Sequence, residues 1–259
     1  MAFAKKSLGQ NFLISERVVG GIVMAGEITP GEQVIEIGPG KGVLTAALLR
    51  AGAHVIAVEK DDRLIPLLAT RFKPEISRGD LVLIHGDVLE SMDAVSIRIK
   101  GHYKVIANIP YYITGQIIRQ FLSIDDKPDS MILMVQKEVA DRIIARDGKE
   151  SILSLSVKVY ATPSLVMNVS RGNFFPIPNV DSAVLKLSDI KMPFANTTDE
   201  SRFFETVKAG FAQKRKKLAG NLTSVMPKDQ VAQKFKALGL DDNARAEDVS
   251  LDIWIKLAQ

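Results

Sequence analysis

The sequence predicts a doubly wound α/β sheet followed by a small all-helical domain. Three observations carry this expectation. Over the first two-thirds of the chain, short apolar runs rich in Val and Ile alternate with helical patterns, which implies parallel strands joined by helical crossovers. A glycine-rich turn, IGPGKG, joins the first such run to the first helix, as in α/β folds that bind ligands at the sheet's carboxyl edge. After Ser188 only helical periodicity remains.

Taken in order, strands are expected at 33–37, 54–59, 81–85, 104–108 and 131–136, each apolar on both faces as in a buried parallel sheet. Helices are expected between the early ones, at 43–50 and 63–72. The proline-punctuated FFPIPNV reads as a loop, and 182–187 as another strand. Residues 189–198 contain a proline and no periodicity and read as the linker, dividing the chain into domains at 1–188 and 189–259. Beyond it, Phe203, Phe204, Val207 and Phe211 form one apolar helix face, and Val231, Phe235 and Leu238 another. Ser250 is placed to cap a last helix carrying Ile253, Trp254 and Leu257.

Composition excludes several classes of function. The 259 residues are 46% hydrophobic, ample for a core. Cysteine is absent, which removes disulfides, thiolate chemistry and Cys-ligated zinc or iron–sulfur centres. His54, His85 and His102 are scattered, so no metal site is expected. The start, MAFAKKSLGQNFL, lacks the apolar core of a secretory signal, and no run approaches the ~20 residues of a membrane span. A cytoplasmic protein without membrane attachment is expected. The net charge is only +4. Its distribution is uneven: residues 208–236 hold eight Lys or Arg against one acid, and the chain after Leu238 is acidic. Such a concentrated basic stretch suits a polyanion, although a solvated helix face has the same composition.

The turn VIEIGPGKG has acid-x-Gly-x-Gly-x-Gly spacing through Glu36, Gly38, Gly40 and Gly42. That differs from the G-x-G-x-x-G of dinucleotide enzymes. Glu59 closes the next strand, where a carboxylate can accept from both hydroxyls of a ribose. Asp87 follows the third strand, placed to accept from an exocyclic adenine amine. Three acids at three successive strand ends read as an adenosine site. Without a pyrophosphate-type glycine pattern, S-adenosylmethionine is favoured over NAD.

The fourth strand runs into Asn108-Ile109-Pro110-Tyr111. This quartet resembles that of methyltransferases acting on exocyclic amines of nucleobases. An adenine N6 lone pair is delocalised into the ring and is a poor nucleophile. The Asn108 side-chain oxygen and the Ile109 carbonyl are suited to accept both N6–H bonds, concentrating density on nitrogen. Pro110 stiffens the loop, and Tyr111 offers a ring for an extruded base.

KKSLGQNFL, EIGPGKG, NIPYYIT, MVQKEVADRI, FFPIPNVDSAV and FAQKRKKLAGNL resemble, in order and over nearly the whole chain, the small-subunit ribosomal RNA adenine N6,N6-dimethyltransferase family. The resemblance implies a Rossmann-like methyltransferase sheet that binds S-adenosylmethionine. It implies that Asn11 and Leu13 line the cofactor pocket with Glu36, Gly38, Gly40, Glu59, Asp87 and Asn108, and that Phe174 faces the target adenine opposite Tyr111. The implied substrate is two adjacent adenines in a hairpin loop near the 3′ end of small-subunit ribosomal RNA, within a precursor particle, met by a monomeric enzyme that serves small-subunit biogenesis. Lys214, Arg215, Lys216 and Lys217 are the expected RNA contacts, in a basic helix. Here the sequence departs from the family, reading KRKKLAGNL where many members have Arg-Arg-Lys-Thr before paired Asn. Competing readings are a large-subunit adenine methyltransferase of the antibiotic-resistance type and a non-enzymatic RNA-binding assembly factor.

Overall fold

The computed structural model describes residues 10–259 except 97, 100 and 214. Its strands are β1 (Phe12–Leu13), β2 (Gln33–Ile37), β3 (His54–Glu59), β4 (Leu81–His85), β5 (Tyr103–Asn108), β6 (Ser130–Gln136), β7 (Thr162–Val169), β8 (Phe174–Phe175) and β9 (Ser182–Ser188). Seven of them form one sheet in the order β4-β3-β2-β5-β6-β9-β7, while β1 and β8 pair as a separate ribbon. The β4-to-β6 portion is parallel, and β9 runs antiparallel between β6 and β7. The chain winds outward from β2 through β3 to β4, then returns to start the other half at β5. The carboxyl ends of β2 and β5 therefore diverge into a crevice, where open α/β sheets bind ligands.

Burial separates the strands that the sequence marks from those it hides. Val105, Ile106 and Ala107 of β5 and Met131 through Val135 of β6 are fully buried, so continuous apolar runs mark them. Strand β7 lies outside the expected set. It is an edge strand, half exposed along most of its length, with an irregular register between Leu165 and Met167. Pro163 near its start is tolerated because an edge strand needs fewer ladder donors. The loop expected at FFPIPNV contains β8, whose two residues pair with β1 in the register Phe12↔Phe175 and Leu13↔Phe174. The helix expected at 63–72 is Ile65–Arg71, followed directly by Lys73–Arg78.

The chain forms two compact units, residues 1–140 with 162–190, and residues 141–161 with 191–259. The expected division at 188 thus omits an excursion, because 141–161 clusters with the helical unit. Within that unit helix Ile152–Lys158 meets helix Thr197–Phe211, and the Tyr160 ring stacks near Phe204 at 6.3 Å. Asn196 caps the latter helix by accepting from the Asp199 amide at 2.9 Å, which shortens the expected linker. Trp254 stacks on Phe211 at 5.5 Å. Gly210 makes room for it: a Cβ there would meet the indole at 2.3 Å.

Candidate active site

Asn11, Leu13, Gly38, Gly40, Glu59, Asp87, Asn108, Ile109, Pro110 and Tyr111 line one cleft at the carboxyl ends of β2, β3, β4 and β5. Residues nearly a hundred positions apart converge there because parallel strands all end at the same edge. Within the glycine turn, roles differ. Gly38, Gly40 and Gly42 all have positive φ. A Cβ at Gly38 would meet nothing within 4 Å, whereas one at Gly42 would strike the Phe72 ring at 2.5 Å. Gly38 keeps the backbone open to the cleft, and Gly42 serves packing.

Glu59 faces the cleft and also builds it. Its Oε2 accepts from the Gly40 amide at 3.0 Å and its Oε1 from the Asp61 amide at 2.8 Å. Burial pushes its carboxyl above the usual range, and those two amides pull it back in part. Two carboxylate oxygens offer about four acceptor sites, so capacity remains for hydroxyls. Asp87 accepts from Lys60 Nζ at 2.6 Å and from the Leu89 amide at 3.0 Å. Burial raises its pKa, but the Lys60 ammonium and that amide outweigh it, and the group lies below its ordinary value. The acceptor set fits an adenosine: two strand-end carboxylates for hydroxyls and an amine, beside a turn in which Gly38 and Gly40 leave the backbone bare.

Glu36 does not line the cleft. It is 1% exposed beneath the loop, and burial pushes its carboxyl up to about 8 while Thr45 pulls the other way only in part. Neither Glu36 Oε2 nor Thr45 Oγ1 completes a hydrogen bond. Glu36, expected among the cofactor-binding residues, is buried beside the cleft-lining residues rather than among them. The cause is the strand alternation of β2, which turns this residue inward.

At the end of β5, Asn108 Nδ2 donates to the Asn11 carbonyl at 3.3 Å. That contact engages the amide nitrogen and leaves Oδ1 as the acceptor of a side chain that lines the cleft. Ile109 is buried, which fixes its carbonyl. The Tyr111 hydroxyl lies 2.6 Å from Ser182 Oγ. Burial raises the phenol's pKa, so it is neutral at physiological pH.

Phe174 lies in the core, 1% exposed, with Phe12, Leu13 and Val169. In the β1–β8 ribbon it opposes Leu13, a residue that lines the cleft. Its neighbour Phe175 is 62% exposed.

Four residues outside the expected set, Gln10, Lys41, Asp61 and Arg63, also shape the cleft. Gln10 Nε2 donates to Asp61 Oδ2 at 2.8 Å, clamping the segment before β1 onto the end of β3. Arg63 holds the Asp61 carboxyl well below the usual range. Lys41 lies over the Phe12 ring at 4.9 Å, at the cleft's edge. The spacing Glu59-x-Asp61 is the available hint, but an acid after a strand end has no distinctive pattern.

Of the basic residues, Arg215, Lys216 and Lys217 are exposed in the helical unit, and Lys214 lies outside the described residues. Arg215, Lys216 and Lys217 occupy a turn rather than the expected helix. Helix Thr197–Phe211 has ended, and Lys217 precedes helix Leu218–Leu222 in extended conformation. The buried Asn221 causes the break: its Nδ2 donates to the Gly210 and Gln213 carbonyls at 2.6 and 3.1 Å.

Among the described residues no helix is long and apolar enough to cross a membrane, and no acid–histidine group is placed to hold a metal ion. Comparisons with known proteins agree with the geometry. Ribosomal RNA small subunit methyltransferase A of Dehalococcoides mccartyi is 42% identical over 98% of this chain and 87% of its own length. The protein of that name from Geobacillus kaustophilus is 40% identical over 98% and 89%. Among solved structures, a dimethyladenosine transferase from Plasmodium falciparum matches with TM-score 0.78 and 26% identity, covering 95% of each chain. The 23S rRNA methyltransferase ErmE shares the fold with TM-score 0.78 at 24% identity, covering 96% of this chain and 98% of its own. The family described as ribosomal RNA adenine dimethylase matches residues 1–259, and this chain belongs to it.

Proposed function

We propose that the protein transfers methyl groups from S-adenosylmethionine to N6 of two adjacent adenosines in a hairpin loop of small-subunit ribosomal RNA, within a precursor particle and as a cytoplasmic monomer. Membership of the dimethylase family, and relatives named for the small subunit, support the reaction and the subunit. The single observation that supports the chemistry is the Asn108–Asn11 contact, which engages the amide nitrogen of a cleft-lining residue and leaves its oxygen to accept.

The residues divide the work. Gly38 and Gly40 admit the cofactor to the backbone, Glu59 accepts from its ribose and Asp87 from its adenine amine, with Asn11 and Leu13 closing the near side. When bound, the cofactor supplies an electrophilic methyl on a sulfonium. Asn108 Oδ1 and the Ile109 carbonyl accept the two N6–H bonds of the target, which frees the nitrogen lone pair and holds it in line. Pro110 keeps those acceptors in place, and Tyr111 stacks on the extruded base. No strong base is required, because nitrogen that has gained a methyl releases its proton readily. Arg215, Lys216 and Lys217, with Lys214, meet phosphates away from the target. These contacts position the RNA, since one pocketed base cannot select one hairpin.

The test is Asn108→Ala with saturating cofactor. The reading expects turnover to collapse while RNA and cofactor affinities persist, because the acceptor matters chiefly as charge develops on N6. Near wild-type turnover would overturn it.

A further inference from the structure

Several exposed apolar side chains lie on the ribbon and the turn that border the cleft, and the catalytic reading leaves them unused. Phe175 is 62% exposed, Ile177 63% and Ile14 58%, all on the β1–β8 ribbon or the chain leaving it. Tyr112, which lines the cleft beside Tyr111, is 58% exposed. Phe175 pairs with Phe12, a residue that lines the cleft, so its exposed ring stands on the ribbon that borders it. The Tyr111–Ser182 contact ties the turn carrying Tyr112 to the end of the segment that follows β8. The two exposed aromatics thus border the same cleft, Phe175 through its pairing with Phe12 and Tyr112 by lining it.

We propose that Phe175 and Tyr112 form stacking platforms for the unpaired RNA bases next to the target adenosine. This rests on the reading that the cleft takes an extruded adenine. Extrusion strips two neighbouring bases of a stacking partner. An exposed aromatic ring replaces that partner at little cost in specificity, because every base has a π-face. The charge around the rim agrees with this occupant. Lys41 sits over Phe12, and exposed Arg171 precedes the ribbon, so cations for phosphate flank the apolar surface. The arrangement also suits a substrate of two adjacent adenosines. While one occupies the cleft, the other rests on the rim, one nucleotide from exchange.

The experiment compares Phe175→Ala, Phe175→Leu and Phe175→Trp. Affinity is measured on an RNA hairpin whose loop carries two adjacent adenosines, and steady-state kinetics on unmethylated small subunits. Replacement by Ala is expected to raise the hairpin Kd and the KM by roughly 5- to 150-fold, with kcat at saturation and cofactor affinity unchanged. Trp is expected to restore both constants and Leu to fail. Wild-type affinity in the Ala variant, or rescue by Leu equal to that by Trp, would overturn the proposal; the latter points to apolar packing against protein. Unchanged cofactor affinity shows that the variants are folded. Asn108→Ala assayed alongside separates the two readings, since its intact turnover would refute the adenine cleft without affecting the Phe175 comparison.

Discussion

The cleft and the basic turn achieve recognition in opposite ways. In the cleft, residues from Asn11 to Tyr111 converge from four strand ends and a ribbon, and nearly every polar group is held by a partner. In the turn, Arg215, Lys216 and Lys217 are contiguous in sequence and exposed, and Asn221 fixes the backbone beside them. Methyl transfer needs atoms placed to a fraction of an ångström, which requires support on all sides. Phosphate recognition needs charge density at a position, which mobile side chains supply. A substitution in the cleft should therefore act in steps of chemistry, and one in the turn should act in proportion to charge.

The largest expected effect is on turnover. Asn108→Ala should lower kcat by about 10²–10³-fold, the range for removing one preorganised partner of developing charge, with hairpin affinity measured in parallel and unchanged. Next comes the cofactor. Removing hydrogen bonds to a charged carboxylate costs roughly 1.5–3 kcal/mol each, so Glu59→Gln should weaken S-adenosylmethionine binding by about ten- to a hundredfold in calorimetry. Glu59→Ala should in addition lower the unfolding midpoint, because that carboxylate holds the Gly40 amide. A Glu59→Ala variant with wild-type stability would show that the turn stands without it.

The third prediction concerns pH. The Glu36 carboxyl titrates near its ordinary value of 4.5 when unfolded and at about 8 when folded. Between these values the folded state holds the extra proton, so stability is full below about 4.5 and is lost as pH rises through about 8. The expected loss is of order 1.4 kcal/mol per pH unit in that window. Glu36→Gln cannot lose a proton, so urea titrations from about pH 5 to 9 should show wild type falling relative to the variant. Parallel curves would mean that Glu36 is already paired when ionised. The smallest effect belongs to the turn. Replacing Arg215, Lys216 and Lys217 by Ala should flatten the salt dependence of RNA binding by about 0.7–0.9 log units for each phosphate that goes unneutralised, leaving cofactor affinity intact. Equal slopes would return the turn to the status of a solvated surface.

How much is legible in the sequence follows from the same contrast. Strands β2, β3 and β4 match their expected limits because buried parallel strands write continuous apolar runs. The half-exposed edge strand β7 leaves no such run, and two-residue ribbons such as β1–β8 have no periodicity to detect. In the site, Glu59, Asp87 and Asn108 are legible because strand ends at a glycine turn constrain what acids and amides there can face. The inward turn of Glu36 is not, since adjacent strand positions differ only in which face they take. The same alternation separates Phe174, packed against Leu13, from exposed Phe175, and only the register shows which ring faces outward. The family resemblance transfers a residue position, while the structure supplies its orientation. The clamp from Gln10 to Asp61 spans β2 and β3 and leaves no local trace.

The most direct measurement is methyl transfer from labelled S-adenosylmethionine to isolated small and large ribosomal subunits, followed by mapping of the modified nucleotides. The account predicts label in the small subunit alone, as N6,N6-dimethyladenosine at two adjacent loop positions, and none with Asn108→Ala. Label in the large subunit, or on any atom other than adenine N6, would contradict it.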